Sequence, residues 1–362
     1  MNDNHGVAAA AAQFETGGEF LNAGRYGNGH IHDTYCVTVN RGGKPVHFIL
    51  QRLNTRIFTR TRELMENIER VTAHLVGVVK AHPDHDRRAL HLIPTREGKT
   101  WHVDQEGSWW RMYQFIEGAR SVEQVQSAAQ CFEVGRAFGR FQGQLTGMPG
   151  PRLHETIPFF HHTPRRFEAL EAAVAADAAG RVSSAGPEIE FAMARKGIVS
   201  RLLDAGLPEH ITHNDTKINN VLLDDRNGEA VCVIDLDTVM PGLALYDFGD
   251  MVRTATNPAA EDERDLDKVV MRFDYFEALV RGYLDSAGGF LTREEKLLLP
   301  FAGRLITFEI AIRFLTDYLS GDTYFKVHRD GHNLDRTRTQ FRLLESIEAQ
   351  ERQMEQVVRT LI

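Results

Sequence analysis

Between residues 25 and 54 apolar and polar side chains alternate, in TYCVTVN and again in VHFILQRLN, with RGGKP separating the two runs. A period of two turns successive side chains to opposite faces, so this stretch predicts two strands of a β-hairpin reversed at the glycines. From 61 to 79 the spacing changes, and Leu64, Ile68, Val71 and Leu75 recur on one helical stripe. Short apolar runs broken by glycine follow between 91 and 118, a pattern expected of a further hairpin ending at Glu117-Gly118. Beyond Gly118 the chain reads as helices: one opening at Ser121 with Gln124 three positions on, then 164–178, 187–205, 261–286, 292–319 and 334–361. The exception is NVLLD and AVCVIDLD, two apolar strands joined by DRNGE, whose Asn-Gly favours a tight reversal. VAAAAAQ, at 7–13, follows the polar MNDNHG and is expected to fray. The pattern as a whole predicts an α+β fold. A small antiparallel sheet with one helix occupies 1–117, behind a flexible leader over 1–20, and a larger, mainly helical part occupies 118–362.

At 362 residues the chain exceeds what one core usually serves, which agrees with two lobes. Its formal net charge of -8 supplies no basic field for nucleic acid. No apolar window is long enough to span a membrane, and the start lacks a signal-peptide pattern. Cys36, Cys131 and Cys232 form no CxxC pair and leave an odd thiol in any disulfide scheme, so a reducing cytoplasm is the expected compartment. Cys232, inside AVCVI, reads as a small buried hydrophobe.

Chemistry concentrates in ITHNDTKINNVLLDDRNGEAVCVIDLDTVMPG, Ile211 to Gly242. The loop carrying Asp215, Lys217 and Asn220 precedes the first strand, and Asp235 follows the second. Phosphoryl transfer needs a carboxylate to orient or deprotonate the attacking hydroxyl, a cation near the moving phosphoryl group and oxygen ligands for magnesium. Asp215, Lys217 and the pair Asn220 and Asp235 have the right chemistry. An isolated DxxxxN would equally suit a turn, because Asp and Asn bond nearby backbone groups.

HNDTKINN resembles the H-x-D-x-x-x-x-N catalytic loop of the protein-kinase-like fold, and IDLD stands in the place of its metal-binding DFG segment. With VIDLDTVMPG, YDFGD and RFLTDYLSGDTYF, the chain from about Tyr26 to Phe325 resembles the aminoglycoside phosphotransferase and choline kinase relatives. Within them it is most similar to the anomeric N-acetylhexosamine 1-kinases. The resemblance implies a two-lobed protein-kinase-like fold that uses ATP and Mg²⁺ to phosphorylate the C1 hydroxyl of a free GlcNAc or GalNAc. It also implies Asp215 as base, Lys217 on the γ-phosphate, Asn220 and Asp235 as metal ligands, His213 as a structural brace, and Asp247 and Asp250 as supports of the loop.

The resemblance further places YGNGHIHDTY as a phosphate-covering loop through Gly27 and Gly29. Here His32 stands where a third glycine would fall, and the segment read alone fits an ordinary turn nearly as well. In FILQ, Gln51 replaces the lysine that grips the α and β phosphates, leaving Gln51 or Arg52 as the substitute on opposite strand faces. RMYQFIEG would supply the adenine contacts, with Met112 behind the base and backbone from Gln114 to Ile116 beside it, or else is a plain buried strand. Arg313 and Tyr324 would face the hexosamine, although Arg313 could instead pair with a carboxylate. HPDHD and His161-His162 are poor metal candidates, and GxxxxGK[ST] is absent. The alternatives are a kinase of another small alcohol (an aminoglycoside, choline, homoserine or a different sugar) and a nucleotide-binding pseudokinase. ATP and a small sugar are the expected partners, without nucleic acid or membrane, for a monomer or simple homo-oligomer.

Overall fold

The computed structural model describes residues 3–27 and 31–362. Its elements begin with α1 (Asp3–Ala11), β1 (Glu19–Arg25), β2 (Asp33–Arg41), β3 (Lys44–Arg52), α2 (Thr61–Val79), β4 (Trp101–Val103), β5 (Trp109–Gln114) and β6 (Ala119–Arg120). They continue with α3 (Ala128–Leu145), α4 (Thr163–Ala176), α5 (Gly186–Met193), α6 (Arg201–Asp204), β7 (His210–Thr212), β8 (Val221–Asp224), β9 (Ala230–Val233) and β10 (Met240–Gly242). Four helices close the chain: α7 (Ala244–Ala255), α8 (Phe273–Ala287), α9 (Arg293–Leu319) and α10 (His332–Leu361). The chain divides into two compact units. The first runs up to Ala119 and takes in Gly147–Ile157 and Val231–Val239; the second holds Arg120–Thr146, Pro158–Ala230 and Met240–Ile362.

The first unit is built on a five-stranded antiparallel sheet of order β1-β2-β3-β5-β4. Arg41 opposite Lys44 leaves a two-residue turn, and Gly42 and Gly43 both take positive φ (60° and 84°), the conformation such a turn demands. The alternation read from the sequence sets one face of the sheet: Tyr35, Val37, Val39, Phe48, Leu50, Trp110 and Met112 are buried in one cluster. The leader differs from its expected state. Residues 3–11 form α1, and Val7, Ala10 and Ala11 join Phe14 in that same cluster. Their i, i+3, i+4 spacing is an apolar stripe written mostly in alanine, short enough to pass for a featureless run.

In the second unit α3 and α8 lie in unusually close approach. A Cβ on Gly135 would meet the Leu279 carbonyl at 2.2 Å, and one on Gly282 would meet the Phe132 carbonyl at 2.0 Å, so only glycine permits this packing. Helix α3 begins later than its sequence pattern suggests, because Ser127 rather than Ser121 caps it, accepting from the Gln130 N–H. The helical pattern at 187–205 is broken into α5 and α6, and 261–286 yields a 3-10 turn at Leu266–Lys268 and an α-helix only from Phe273. Strand β7 pairs with β10, and Asp224 donates its N–H to the Glu229 carbonyl to close the turn between β8 and β9. These pieces carry the antiparallel sheet and helical region that the α+β reading requires.

Candidate active site

In the second unit β7 ends at Thr212, and the chain passes through His213 to Asn220 before β8 begins. One buried carboxylate shapes this loop. Asp247, in the first turn of α7, accepts the backbone N–H of His213 at 2.8 Å and of Asn214 at 2.7 Å, and also the Gln142 side-chain amide at 2.7 Å. Two successive N–H groups on one carboxylate force a sharp bend, and Asn214 sits at φ 66°. Three residues along α7, Asp250 accepts the Thr216 N–H at 2.9 Å and pairs with Arg253 at 2.8 Å. The His213 ring meets Phe138 and Phe141 edge-on, at 5.2 and 5.7 Å. Burial pushes the Asp247 carboxyl up. Asp250 is buried too, but Arg253, then His161 and Lys217, hold it below its ordinary value.

Asp215 emerges half-buried from this bend with both oxygens engaged. Lys217 Nζ lies 2.9 Å from Oδ1, while the Asn220 amide donates to the Asp215 carbonyl at 2.7 Å and to Oδ2 at 3.0 Å. Three of the expected site residues therefore come together. A carboxylate held at both oxygens can orient a hydroxyl, and the adjacent ammonium can face an anion.

The remaining nucleotide and metal candidates belong to the first unit. Gln51 contacts no carboxylate from α2; it accepts Arg111 Nε at 2.9 Å and donates to Thr34 Oγ1 at 3.1 Å. Arg52, on the opposite strand face, bonds Asp33. The α2 glutamates are engaged elsewhere: Glu63 with Arg60, Glu66 with His154 and Glu69 with Thr100. Arg111, missed in the sequence reading, is the buried cation of this region, bonding both oxygens of Asp237 at 2.6 Å. A signal existed: WWRMYQ sets one arginine inside an apolar strand, which demands a carboxylate partner. Burial alone would raise the Asp237 carboxyl, but Arg111, then His32, hold it well below the carboxylate range. His32 Nδ1 accepts the Asn54 N–H at 2.9 Å, so Nε2 carries the proton; it lies 3.3 Å from Asp237 Oδ2, within ion-pair distance but without hydrogen-bond alignment.

Asp235, two positions before Asp237, is exposed and takes φ 62°, ψ 62°. Gly27 has φ 73°, whereas Gly29 lies outside the described residues. Met112 and Ile116 are buried and Gln114 is exposed, its N–H already given to the His91 carbonyl at 2.9 Å. In the second unit, Arg313 on α9 stands among the rings of Phe160, Phe325 and Tyr324, at 5.2, 5.7 and 6.0 Å, and Tyr324 is 64% exposed. No ion pair to Arg313 occurs among the described residues, and its charge acts on Glu309, one helical turn before it on α9.

Among the described residues no group of three or more His, Cys, Asp or Glu side chains is placed to hold a metal ion. The Asn220 amide and the Asp235 carboxylate are hard oxygen donors. Mg²⁺ commonly takes only one or two such ligands beside phosphate and water, so each residue, Asn220 in the second unit and Asp235 in the first, has by itself the donor chemistry for an ion that arrives with a nucleotide. No helix among the described residues is long and apolar enough to cross a membrane.

Residues 23–288 match the model of the Phosphotransferase enzyme family, APH. Solved structures of similar fold include a microcompartment-associated aminopropanol kinase, at 14% identity and TM-score 0.57 over 97% of this chain and 98% of that one. A spectinomycin phosphotransferase in complex with ADP and spectinomycin matches at 12% identity and TM-score 0.53, over 97% and 99%. A choline kinase from Cryptosporidium parvum Iowa II matches at 13% identity and TM-score 0.54, over 98% of each chain. At these identities the likeness is one of fold.

Proposed function

The chain belongs to the phosphotransferase enzyme family, and from that membership we propose that it transfers the γ-phosphoryl group of ATP to the anomeric C1 hydroxyl of a free N-acetylhexosamine. The products are the sugar 1-phosphate and ADP. The observation that carries this reading is the Asp215 carboxylate, presented half-buried on a loop that Asp247 and Asp250 pin from beneath, with Lys217 beside it.

Asp215 accepts the C1 hydroxyl proton as the sugar oxygen bonds to the γ-phosphorus, and the bond from that phosphorus to the β–γ bridging oxygen breaks as ADP leaves. Lys217, paired with Asp215 in this structure, turns to the incoming phosphoryl charge. Asn220 and Asp235 are the oxygen donors assigned to the Mg²⁺ accompanying ATP, which when bound supplies charge neutralisation of the phosphates. Gly27, Gly29 and Gln51 are assigned to the nucleotide phosphates and Met112 to the adenine. With the Gln114 N–H already given to the His91 carbonyl, Ile116 is assigned the backbone donor to the base and Gln114 an acceptor role. Arg313 and Tyr324 are assigned to the sugar, since a cation lying over aromatic rings, with the Tyr324 ring exposed, suits hydroxyls and an N-acetyl carbonyl. Arg166 beside Arg313 adds a second guanidinium, pushed below its usual range by burial and by that neighbour. Two guanidinium groups disfavour cationic acceptors such as choline or an aminoglycoside.

A panel of free sugars, amino alcohols and aminoglycosides, assayed for ADP release with ATP and Mg²⁺, tests the acceptor. Phosphorus NMR of the product then tests the position. Release dependent on GlcNAc or GalNAc with phosphate at C1 is expected; phosphate at C6, or release only with a cationic alcohol, refutes the sugar reading. Asp215→Asn is expected to bind nucleotide normally and to lose about two to four orders of magnitude in turnover. An undiminished rate would remove Asp215 from the chemistry.

A further inference from the structure

His161 lies outside the residues assigned to ATP, metal or sugar, yet it is buried directly behind the bend that presents Asp215. Its Nδ1 is 2.8 Å from Glu309 Oε1 and its Nε2 is 3.3 Å from the Asn214 carbonyl oxygen. A carboxylate oxygen and a peptide carbonyl are both acceptors, so each ring nitrogen must donate. A neutral imidazole has only one N–H and would set a lone pair against one of the two oxygens. Glu309 is fixed as an acceptor on its other side as well, taking the Thr163 hydroxyl at 2.6 Å on Oε2. Burial works against its charge, but His161, then Arg313, hold the Glu309 carboxyl below its ordinary value.

We infer that His161 is a positioning residue, held as an imidazolium between Glu309 and the Asn214 carbonyl, that fixes the peptide leading into Asp215 and ties it to the helix carrying Arg313. The kinetic part of this inference rests on Asp215 being the acceptor of the substrate proton; the protonation state does not. The tether grips the carbonyl of Asn214, the residue whose left-handed backbone sets the bend, and so acts on Asp215 through the intervening peptide bond. Glu309 stands one helical turn before Arg313 on α9, so both ends of the proposed acceptor site share one buried ion pair. The charged and titratable groups facing His161 and its partner are Glu309 and Arg313 from α9, Asp250 and Tyr246 from α7, and Arg166 from α4. Glu309 and Asp250 favour the imidazolium and the two arginines oppose it. Burial keeps the Tyr246 phenol neutral.

The deciding measurement is long-range ¹⁵N NMR of histidine side chains in the full-length protein, with the His161 signals assigned by their loss in His161→Gln. Protons on both ring nitrogens at pH 8, where an ordinary histidine of pKa about 6.5 is neutral, are expected. A single protonated nitrogen at that pH overturns the inference. Amide exchange of residues 213–216 reads the positioning without turnover: at least tenfold faster exchange is expected in His161→Gln, and unchanged exchange there overturns it. Where the sugar kinase assay succeeds, Glu309→Gln should lower kcat about tenfold and leave the KM for ATP unaltered. A merely structural role would lower the melting temperature and leave kcat per folded enzyme in place. A doubly protonated His161 in a protein that turns over no sugar would sink the acceptor assignment and not the imidazolium.

Discussion

Each unit contains a buried cation and carboxylate beside a residue held in the left-handed region, and the two anchors differ in what the cation can do. In the first unit Arg111 grips both oxygens of Asp237, next to Asp235 at φ 62°. In the second, His161 grips Glu309 and the carbonyl of Asn214, at φ 66°. An arginine stays charged at any working pH, so the strand end that bears Asp235 is fixed permanently. Imidazolium can be discharged, so the bend bearing Asp215 is fixed conditionally. Two loop residues in the same left-handed region are thus held, one beside an anchor that can switch and one beside an anchor that cannot, and the residue type of the cation makes the difference.

The strongest way to break the comparison is at its permanent end. Arg111→Met leaves Asp237 buried and uncompensated and is expected to cost about 3–5 kcal/mol of unfolding free energy. Adding Asp237→Leu should restore most of it. Urea midpoints of the single and double variants measure both, and a double variant no more stable than Arg111→Met would mean that the arginine acts by some other contact. At the titratable end the same manipulation should be milder. Glu309→Gln allows His161 to shed its proton, so the expected loss is about 1–3 kcal/mol, the scale of an unsatisfied buried group. A loss equal to that of Arg111→Met would erase the distinction between the anchors.

Acid sharpens the likeness instead. Asp237 and Glu309 both have folded-state values below their ordinary ones, so the unfolded chain takes up their protons first as pH falls. Their stabilisation is complete above the ordinary carboxylate range, about 3.9–4.3, and is lost as pH drops through the lower folded values. Urea midpoints between pH 6 and pH 2.5 should decline, less steeply in Glu309→Gln; an equally steep decline would deny Glu309 its part. The smallest effect is expected at the rim, where Tyr324→Ala should change stability by no more than about 0.5 kcal/mol while raising the KM for sugar.

How much of this could be read beforehand depends on sequence distance. The alternation in β2 and β3, the Gly42-Gly43 turn and the Asp215 to Asn220 spacing are local, and local geometry turns them directly into strands, a reversal and a paired carboxylate. The alanine leader misled because alanine writes an apolar stripe faintly, and 261–272 because its only helical piece is a single 3-10 turn at Leu266–Lys268, with Val269 to Met271 in the connection beyond it.

The sequence by itself determined the α+β pattern, the turns that glycine must make, and the set of oxygen and nitrogen groups gathered around Ile211 to Gly242. Only the tertiary structure decided that Arg111 would meet Asp237 across 126 positions and His161 would meet Glu309 across 148. Periodicity can say that a charged side chain faces inward. Which opposite charge waits there is settled by the packing of distant elements, because a buried ion is stable only beside the one partner that the fold brings within bonding distance.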